Sequence, residues 1–261
     1  MNVGFIGAGH ITRAVAQGLA RADAGDGLTL SFHDLVPAAA GFAARETGGA
    51  VAPTLAGLVE AADVVVVAVR PHHVAGVLAD VAELLGPRPL VSVAAGVSME
   101  RLRAALPGDA KVGRVMPNLA AALGLGVFLL VPGSLGEDEA VVDAVFARAG
   151  VVVPMRESEF DAATVVAGCM PGILAMVVRD FAAAAERRGL APDVAVRLAI
   201  SGVHGAAAMI AKQGDPAAII AAGATPGGMT AAAIATLEEH EIAAAIDHAV
   251  ETASRRAGEL A

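Results

Sequence analysis

The sequence predicts an α/β protein in which an N-terminal Rossmann-type doubly wound sheet is followed by an all-α dimerisation domain. Three observations support this prediction. An apolar strand opens the chain and leads through two glycines into a helix, further apolar runs alternate with helical segments, and from residue 157 onward apolar residues recur at helical spacing. We therefore place a dinucleotide-binding domain at residues 1–156 and a helical dimerisation and substrate domain at residues 157–261.

Composition excludes several classes of protein. The 261 residues are 56% hydrophobic, too many for a disordered chain, and the net charge of -9 with no Trp or Tyr argues against a nucleic-acid partner. Cys169 is the single cysteine, so neither an intramolecular disulfide nor a cysteine-based metal cage is expected, and no metal site is predicted. The longest uncharged run, residues 162–178, contains glycine and proline and is shorter than the ~20 apolar residues of a membrane span. With no secretory pattern at the N-terminus, we expect a cytoplasmic protein without a membrane partner.

The glycine-rich turn follows the first strand directly. Gly7 is suited to the tight turn, and Gly9, which lacks a β-carbon, lets backbone amides approach a pyrophosphate at the positive end of the following helix. Thr12 replaces the third glycine of the usual Gly-x-Gly-x-x-Gly pattern, so strand and helix are expected to lie slightly further apart. His10 has two candidate roles, as a phosphate contact or as a solvent-facing side chain. The turn predicts a dinucleotide site, with an ordinary strand-to-helix turn as the alternative.

The second strand, predicted at residues 27–32, ends at His33 and Asp34. In this architecture an acidic residue about 20 positions beyond the glycine turn accepts hydrogen bonds from the adenosine ribose and repels the extra phosphate of NADP. Asp34 therefore favours NAD, although the same side chain is also suited to capping a helix.

Later strands are predicted at residues 64–69, 90–96, 126–131 and 151–153, and a further strand with its following loop is predicted at residues 112–118. The first of these is a continuous apolar run, typical of a parallel strand covered on both faces. In open parallel sheets, ligands bind beyond the carboxyl ends of the strands. The turns at such ends are those at Gly7, Asp34, Arg70, Gly96 and Asn118.

The second half of the chain is predicted to be helical. Helices are expected at residues 158–188 and 192–213 and as a final pair from residue 228, with Gly189 and Gly214 as stop signals. Residues 163–178 are apolar nearly all round the helix, which predicts burial on every side in an intertwined dimer.

A loop interrupts the helical pattern with the sequence Thr225-Pro226-Gly227-Gly228-Met229-Thr230. Free amides of the two glycines beside two threonine hydroxyls predict an anion pocket suited to a carboxylate. The alternative is an ordinary Pro-Gly-Gly turn between helices.

Together these segments resemble Δ1-pyrroline-5-carboxylate reductase over nearly the whole chain. The matching segments are residues 4–9 (GFIGAG), 68–71 (AVRP), 92–97 (SVAAGV), 114–118 (RVMPN) and 225–230 (TPGGMT), the last being the most family-specific together with Glu238-Glu239. The resemblance implies reduction of a cyclic imine, most directly 1-pyrroline-5-carboxylate to L-proline, by NADPH or NADH. It also implies a homodimer or a ring of dimers whose active sites are formed by both subunits. A protonated cyclic imine is already electrophilic, so alignment and a carboxylate anchor matter more than a strong general acid.

The motifs and the resemblance together predict roles for particular residues. Thr230 is the catalytic candidate, because its hydroxyl is suited to orient the imine or a water molecule. The residues expected to hold the substrate are Thr225, Gly227, Gly228 and Thr230. The residues expected to contact the dinucleotide are Gly7, Gly9, His10, Ile11, Asp34, Ala68, Val69, Arg70, Pro71, Ala94, Ala95, Gly96 and Asn118.

The chain also departs from the family pattern. Cys169 and Met170 stand in a segment where relatives carry hydroxyl groups, Leu119 and Ile220 replace polar residues, and Arg70 replaces the lysine of a Lys-Pro turn. These changes leave two other hypotheses open. One is a paralogous reductase of another cyclic imine or a ketone, which rates with pyrroline and piperideine carboxylates would distinguish. The other is a regulatory protein that binds the dinucleotide tightly but oxidises none of it across a panel of imines.

Overall fold

The computed structural model of the chain describes residues 1–22, 25 and 27–259. Contacts among them separate two compact units, the first made of Met1–Cys169 with the described residues from Ala253 onward and the second of Met170–Thr252. The helical pattern of the sequence begins at residue 157, whereas this packing boundary lies at Cys169. The domain ranges 1–156 and 157–261 stay a prediction.

A sheet forms the centre of the first unit. Its strands are β1 (Asn2–Ile6), β2 (Thr29–His33), β3 (Ala50–Val51), β4 (Val64–Val67), β5 (Leu90–Ser92), β6 (Val112–Met116), β7 (Gly126–Val131) and β8 (Gly150–Pro154). Within the described residues their order across the sheet is β3-β2-β1-β4-β5-β6-β7-β8. Every neighbouring pair is parallel except β6 and β7. The order reverses at β1, as it does in dinucleotide-binding sheets, and the predicted Rossmann-type fold is confirmed.

The sheet differs from the prediction in three details. The predicted strands 64–69 and 90–96 are too long, since β4 and β5 end before the turns that follow them. β3 was not predicted, because two residues are too few to show an alternating pattern. β7 is antiparallel to β6 because residues 117–125 contain only a 3-10 helix, Leu119–Leu123, and a parallel crossover needs about a dozen residues or more.

Helices cover both faces of the sheet. They are α1 (His10–Ala22), α2 (Pro37–Thr47), α3 (Leu55–Ala61), α4 (Pro71–Val81), α5 (Met99–Ala104), α6 (Glu139–Ala147) and α7 (Phe160–Gly168). Val64 and Val66 of β4 belong to a buried cluster with α1 and α2, whereas Val65 and Val67 belong to a second cluster with α3 and α4. All four valines are fully buried, which explains why this strand is a continuous apolar run.

A buried arginine joins α7 to the sheet. The guanidinium of Arg114, in β6, lies 2.7 Å from Glu157 Oε1 and 3.8 Å from the centroid of the Phe160 ring. Glu157 Oε1 also accepts a hydrogen bond from the amide of Met99 at 3.2 Å. Because a buried charge is costly unless it is paired, these contacts fix the start of α7 to β6. They explain why α7 belongs to the first unit, although the helical pattern of the sequence begins with it.

The second unit is made of helices. They are α8 (Met170–Glu186), α9 (Pro192–Gln213), α10 (Pro216–Gly223), α11 (Met229–Glu239) and α12 (Ile242–Glu259), and the end of α12 belongs to the first unit. The helix predicted at 158–188 is divided at Cys169. α10 falls where no helix was predicted, because its eight residues are too few to show a helical period.

Most large apolar side chains of the second unit are exposed in the single chain. Phe181 on α8 is 61% exposed and Met209 on α9 is 52% exposed. Among the described residues of this unit, Ala182 and Ala195 are the fully buried apolar ones. Exposed apolar surface of this extent marks an interface. The burial predicted for residues 163–178 therefore requires another chain.

Two helical stretches are long and apolar enough, by length and composition alone, to cross a bilayer. They are Glu157–Glu186 and Pro192–Gln213. The first is longer than the uncharged run recognised in the sequence, because the helices on both sides of Cys169 contribute to it. The same length and composition also suit helices that pack in an interface between subunits.

Substitution of Gly18 in α1 tests how closely this helix packs on the 3-10 helix. A β-carbon on Gly18 would lie 2.1 Å from the carbonyl oxygen of Ala121. We expect Gly18→Ala to lower the free energy of unfolding by about 1–3 kcal/mol, because α1 must move away. Gly76 of α4 is the matched control: its β-carbon would meet no atom within 4 Å, so Gly76→Ala should keep or raise stability by up to ~1 kcal/mol. Denaturant titration measures both, and equal stability of the two variants would contradict the close contact.

Candidate functional site

The glycine turn after β1 brings three strand ends together. Gly7 has a φ of 100°, a left-handed conformation that favours glycine. Its amide donates to the carbonyl oxygen of His33, the last residue of β2, at 2.8 Å, and a β-carbon on Gly7 would lie 2.6 Å from the carbonyl oxygen of Ala68, directly after β4. The predicted tight turn is present, and its geometry leaves no room for a side chain.

The N-terminus of α1 faces this turn with unpaired amides. The first intrahelical hydrogen bond runs from the amide of Arg13 to the carbonyl oxygen of Gly9 at 3.1 Å, so the amides of the preceding first turn have no helical partner. A β-carbon on Gly9 would meet no atom within 4 Å. Thr12, which replaces the third glycine, is 1% exposed and donates its hydroxyl to the carbonyl oxygen of Gly7 at 2.8 Å. Free amides, a helix dipole and open space form an anion site.

Two cavities open where the strands end. The first has a volume of about 540 Å³ and is lined by Ile6, Gly7, Ala8, Gly9, His33, Asp34, Leu35, Val36, Ala39, Leu55, Ala68, Val69, Arg70, His73, Val77 and Asp80. The second has a volume of about 370 Å³ and is lined by Ile11, Ala68, Val69, Arg70, Val93, Ala94, Ala95, Met116, Pro117, Asn118, Leu119 and Gly168. The segment after β4 lines both cavities, so they are neighbours along the carboxyl edge of the sheet.

Most of the residues expected to contact the dinucleotide line one of these cavities. Those that do are Gly7, Gly9, Ile11, Asp34, Ala68, Val69, Arg70, Ala94, Ala95 and Asn118. His10 is exposed at the start of α1, while Pro71 and Gly96 line neither cavity. The structure brings the predicted residues together, and their contact with a dinucleotide stays a prediction.

Asp34 holds the glycine turn rather than capping a helix. Its Oδ2 accepts a hydrogen bond from the amide of Ala8 at 2.7 Å, and its Oδ1 accepts one from the amide of Val36 at 2.8 Å. The residue before α2 is Val36, which makes no side-chain cap. The helix-capping alternative is therefore wrong, because α2 begins three residues after Asp34, at Pro37.

Asn118 forms part of the wall of the second cavity. It is 6% exposed, and its Nδ2 donates to the carbonyl oxygen of Ala167 at 3.0 Å. Its Oδ1 accepts hydrogen bonds from the amides of Ala120 at 3.2 Å and Val127 at 3.3 Å. One side chain thus connects α7, the 3-10 helix and β7 around the cavity.

Several lining residues were missed by sequence analysis. Leu55 follows β3, and the rule that ligands bind at strand ends would have identified it if the two-residue strand had been recognised. Val77 and Asp80 lie in the second and third turns of α4, where only the folded helix brings them to the cavity. Met116 and Gly168 meet at the second cavity although they belong to β6 and α7, and no pattern in the sequence indicates this.

The loop before α11 forms a turn in which one predicted feature is wrong. The amide of Gly228 donates to the carbonyl oxygen of Thr225 at 2.9 Å, with Pro226 and Gly227 (φ 73°) between them, the arrangement of a type II turn. The amide of Gly228 is therefore not free, because the turn itself uses it. The first intrahelical bond of α11 runs from Ala232 to Gly228 at 3.1 Å, so the amides of the residues between them stay available for an anion.

The comparisons with known protein families match both parts of the chain. The family model described as pyrroline-5-carboxylate reductase dimerisation matches residues 157–260, and the model described as NADP oxidoreductase, coenzyme F420-dependent, matches residues 2–96. The pyrroline-5-carboxylate reductase of Mycobacterium leprae is 34% identical over 284 residues, which cover 99% of this chain and 96% of that protein. The enzyme of the same name from Arabidopsis thaliana is 31% identical over 264 residues, covering 99% of this chain and 95% of that protein.

Solved structures match over the full length. The pyrroline carboxylate reductase of Plasmodium falciparum, solved with NADP bound, superposes with a TM-score of 0.88 at 23% identity, covering 100% of this chain and 98% of that one. The pyrroline-5-carboxylate reductase of Coxiella burnetii gives a TM-score of 0.89 at 24% identity, with the same coverage. These similarities show that the fold is shared from end to end.

Alanine substitutions at Gly7 and Gly9 are expected to have different effects, one on stability and the other on dinucleotide binding. Gly7→Ala should lower the free energy of unfolding by about 1–3 kcal/mol, because its β-carbon meets a backbone carbonyl and its φ is strained. Gly9→Ala should leave the free energy of unfolding within ~0.5 kcal/mol of wild type and weaken dinucleotide binding at least about tenfold, because its β-carbon occupies the open space before α1. Thermal unfolding and dinucleotide titration measure the two effects. Unaltered dinucleotide affinity in Gly9→Ala would remove the turn from the binding site.

Proposed function

This chain belongs to the pyrroline-5-carboxylate reductase family, and from that premise we infer that it reduces 1-pyrroline-5-carboxylate to L-proline with NADPH or NADH. The observation that carries this conclusion is the extent of the match. A relative bearing that name is 34% identical over 99% of the chain, so the alignment includes both the glycine turn and the loop before α11.

We propose that the two cavities hold the two halves of the dinucleotide. The free amides at the start of α1 and the open space at Gly9 fit a pyrophosphate at the end of β1. Arg70 lines both cavities, and this supports a role for its guanidinium in neutralising the phosphates that join the two halves. When bound, the dinucleotide supplies the hydride. The second cavity, with Ala94, Ala95 and Asn118 in its wall, suits an uncharged nicotinamide ring.

The reduction of a protonated imine does not require an acid or base side chain. Hydride adds to the imine carbon, the electron pair of the C=N double bond moves to the ring nitrogen, and that nitrogen already carries the proton of the iminium ion. The product is therefore a secondary amine without a further proton transfer. What the protein must supply is alignment of the reacting atoms and a partner for the substrate carboxylate.

We propose that the turn before α11 supplies that partner. Gly228 precedes the helix, and a β-carbon there would lie 2.6 Å from Oγ1 of Thr225, so only glycine lets the threonine hydroxyl lie against the helix start. The amides of the first turn and the positive end of an 11-residue helix favour a carboxylate. Thr230 lies in this first turn, where its hydroxyl is suited to contact the carboxylate or the ring nitrogen.

The second unit lies within residues 157–260, which match the dimerisation domain of this family, and the chain acts as a homodimer on a small molecule. The helical stretches apolar enough for a bilayer fall within residues 157–260, which the dimerisation family covers, so we assign their exposed apolar faces to contact with a second copy. We further propose a ring of dimers, a cytoplasmic location and no nucleic-acid or membrane partner. The net charge of -9 supports the exclusion of nucleic acid.

A second candidate function is reduction of a larger cyclic imine. Leu119 lines the second cavity and is 58% exposed, so an apolar side chain is available to a ring beside the nicotinamide site. A ring with one more methylene buries more apolar area against such a side chain.

The activity itself is the first prediction of this proposal. We expect oxidation of reduced dinucleotide, followed by absorbance, with pyrroline-5-carboxylate and a lower kcat/KM with a piperideine carboxylate. The reverse order would favour the second candidate. If the protein binds the dinucleotide but turns over neither imine, both versions are wrong and the regulatory hypothesis stands.

Thr230→Ala tests the loop before α11. We expect it to lower kcat/KM for the imine at least about tenfold and to leave dinucleotide affinity unchanged, because the side chain acts on the substrate alone. Thr236→Ala is the matched control on the same helix: Thr236 is exposed and its hydroxyl donates to the carbonyl oxygen of Ala232 at 3.1 Å. Steady-state kinetics of both variants decide the matter. An equal, small effect of the two substitutions would exclude Thr230 from the site.

A further inference from the structure

A carboxylate is fixed in position at the first cavity. Both oxygens of Asp34 accept backbone hydrogen bonds, from Ala8 at 2.7 Å and from Val36 at 2.8 Å. Each carboxylate oxygen has two acceptor positions, so both can still accept a bond from a hydroxyl group. The charge cannot turn away from a ligand without breaking a bond that holds the glycine turn.

The charges around this cavity do not suit a 2′-phosphate group near Asp34. Among the described lining residues, Asp34 and Asp80 are negative and Arg70 carries the permanent positive charge. The positions directly after Asp34 are apolar, and the side chain of Leu35 is 87% exposed. A site for the 2′-phosphate of NADP commonly has an arginine near this position.

The arginines on the neighbouring helices α1 and α2 contact the ring of Phe42. The guanidinium carbons of Arg13 on α1 and Arg45 on α2 lie 4.8 Å and 5.9 Å from the ring centroid of Phe42. Neither arginine lines the cavity. Both guanidinium groups thus make a cation–π contact with Phe42 and neither contributes to the lining around Asp34.

Arg70 lies on the other side of the glycine turn. It follows β4, whereas Asp34 follows β2, and β1 separates the two strands. Neighbouring strands are about 4.8 Å apart, so the two strand ends are separated by roughly 10 Å. Arg70 is thus placed for the phosphates over β1 and Asp34 for the ribose beyond them, on the side away from β4.

We infer that Asp34 makes this protein select NADH over NADPH. This inference rests on the proposed function for the identity of the ligand. The fixed carboxylate accepts hydrogen bonds from the ribose 2′- and 3′-hydroxyls of NADH. In NADPH the 2′-hydroxyl is replaced by a phosphate that carries further negative charge, and this phosphate meets the carboxylate on the side of β1 away from Arg70. We expect NADPH to bind at least about tenfold more weakly than NADH.

The test measures dinucleotide affinity without substrate, so its result does not depend on turnover of an imine. The homodimer contains no Trp or Tyr, so the fluorescence of the reduced nicotinamide is observed with little protein background. Titration of NADH and of NADPH gives the dissociation constant of each, and we compare the dissociation constant for NADPH divided by that for NADH. The ratio is the quantity compared among variants, because a change in the glycine turn affects both ligands alike.

Three variants complete the experiment. Asp34→Asn removes the charge at nearly constant shape and should bring the ratio of the two dissociation constants close to one. Leu35→Arg leaves the hydrogen bonds of Asp34 in place and should lower the ratio several-fold by adding a cation at an exposed position. Asp63→Asn is the matched control, because Asp63 Oδ2 accepts from the amide of Asn2 at 2.7 Å, at the opposite end of β1. It should leave the ratio unchanged, and thermal unfolding checks that each variant is folded.

The outcomes are distinct. NADPH binding as tightly as NADH in the wild type, or an unchanged ratio in both Asp34→Asn and Leu35→Arg, would overturn the role of Asp34 while leaving the reductase activity intact. Selective binding of NADH without turnover of any imine would support the role of Asp34 and contradict the proposed function. Failure to bind either dinucleotide would overturn both.

Discussion

The close approach of β1, β2 and β4 at Gly7 is the constraint on which the site depends. The amide of Gly7 bonds to the carbonyl oxygen of His33, and the position of its missing β-carbon is 2.6 Å from the carbonyl oxygen of Ala68. Because β1 is the strand at which the sheet order reverses, these contacts place the end of β2, the start of α1 and the turn after β4 around one crevice. Asp34 strengthens the same arrangement through the amide of Ala8.

The two units obey different physical requirements. The first buries its apolar residues on both faces of a sheet, so its fold is complete within one chain. The second exposes side chains as large as Phe181 in the single chain, and burial of this surface is left to a second copy. The helix α7 precedes the second unit. Arg114 of the sheet pairs with Glu157 at the start of α7 and so fixes this helix to the sheet. The enzyme thus combines a self-sufficient dinucleotide domain with a helical domain that is completed by association.

The parts of the site that follow directly from the chain were predictable. Gly7, Gly9 and Arg70 stand within three residues of the ends of strands with strong apolar patterns, and local rules identify such positions. Leu55 was not predictable, because it follows a strand of two residues, and Asp80 was not, because a helix carries it back to the crevice. The amide of Gly228 was predicted to be free, yet the turn that its own sequence favours uses it. Local patterns indicate which backbone conformations form. They do not indicate which amides and carbonyl groups those conformations use in their own hydrogen bonds.

By itself the sequence determined the alternation of strands and helices, the glycine turn, the helical second half and the family, because each depends on neighbours in the chain or on motifs in a fixed order. The tertiary structure decided the antiparallel β7, the place of α7 beside the sheet and the partners of Asp34 and Asn118. These features depend on which groups compete for the same hydrogen bond or the same buried space. Such competition involves residues far apart in the chain, so it is settled only when the chain has folded.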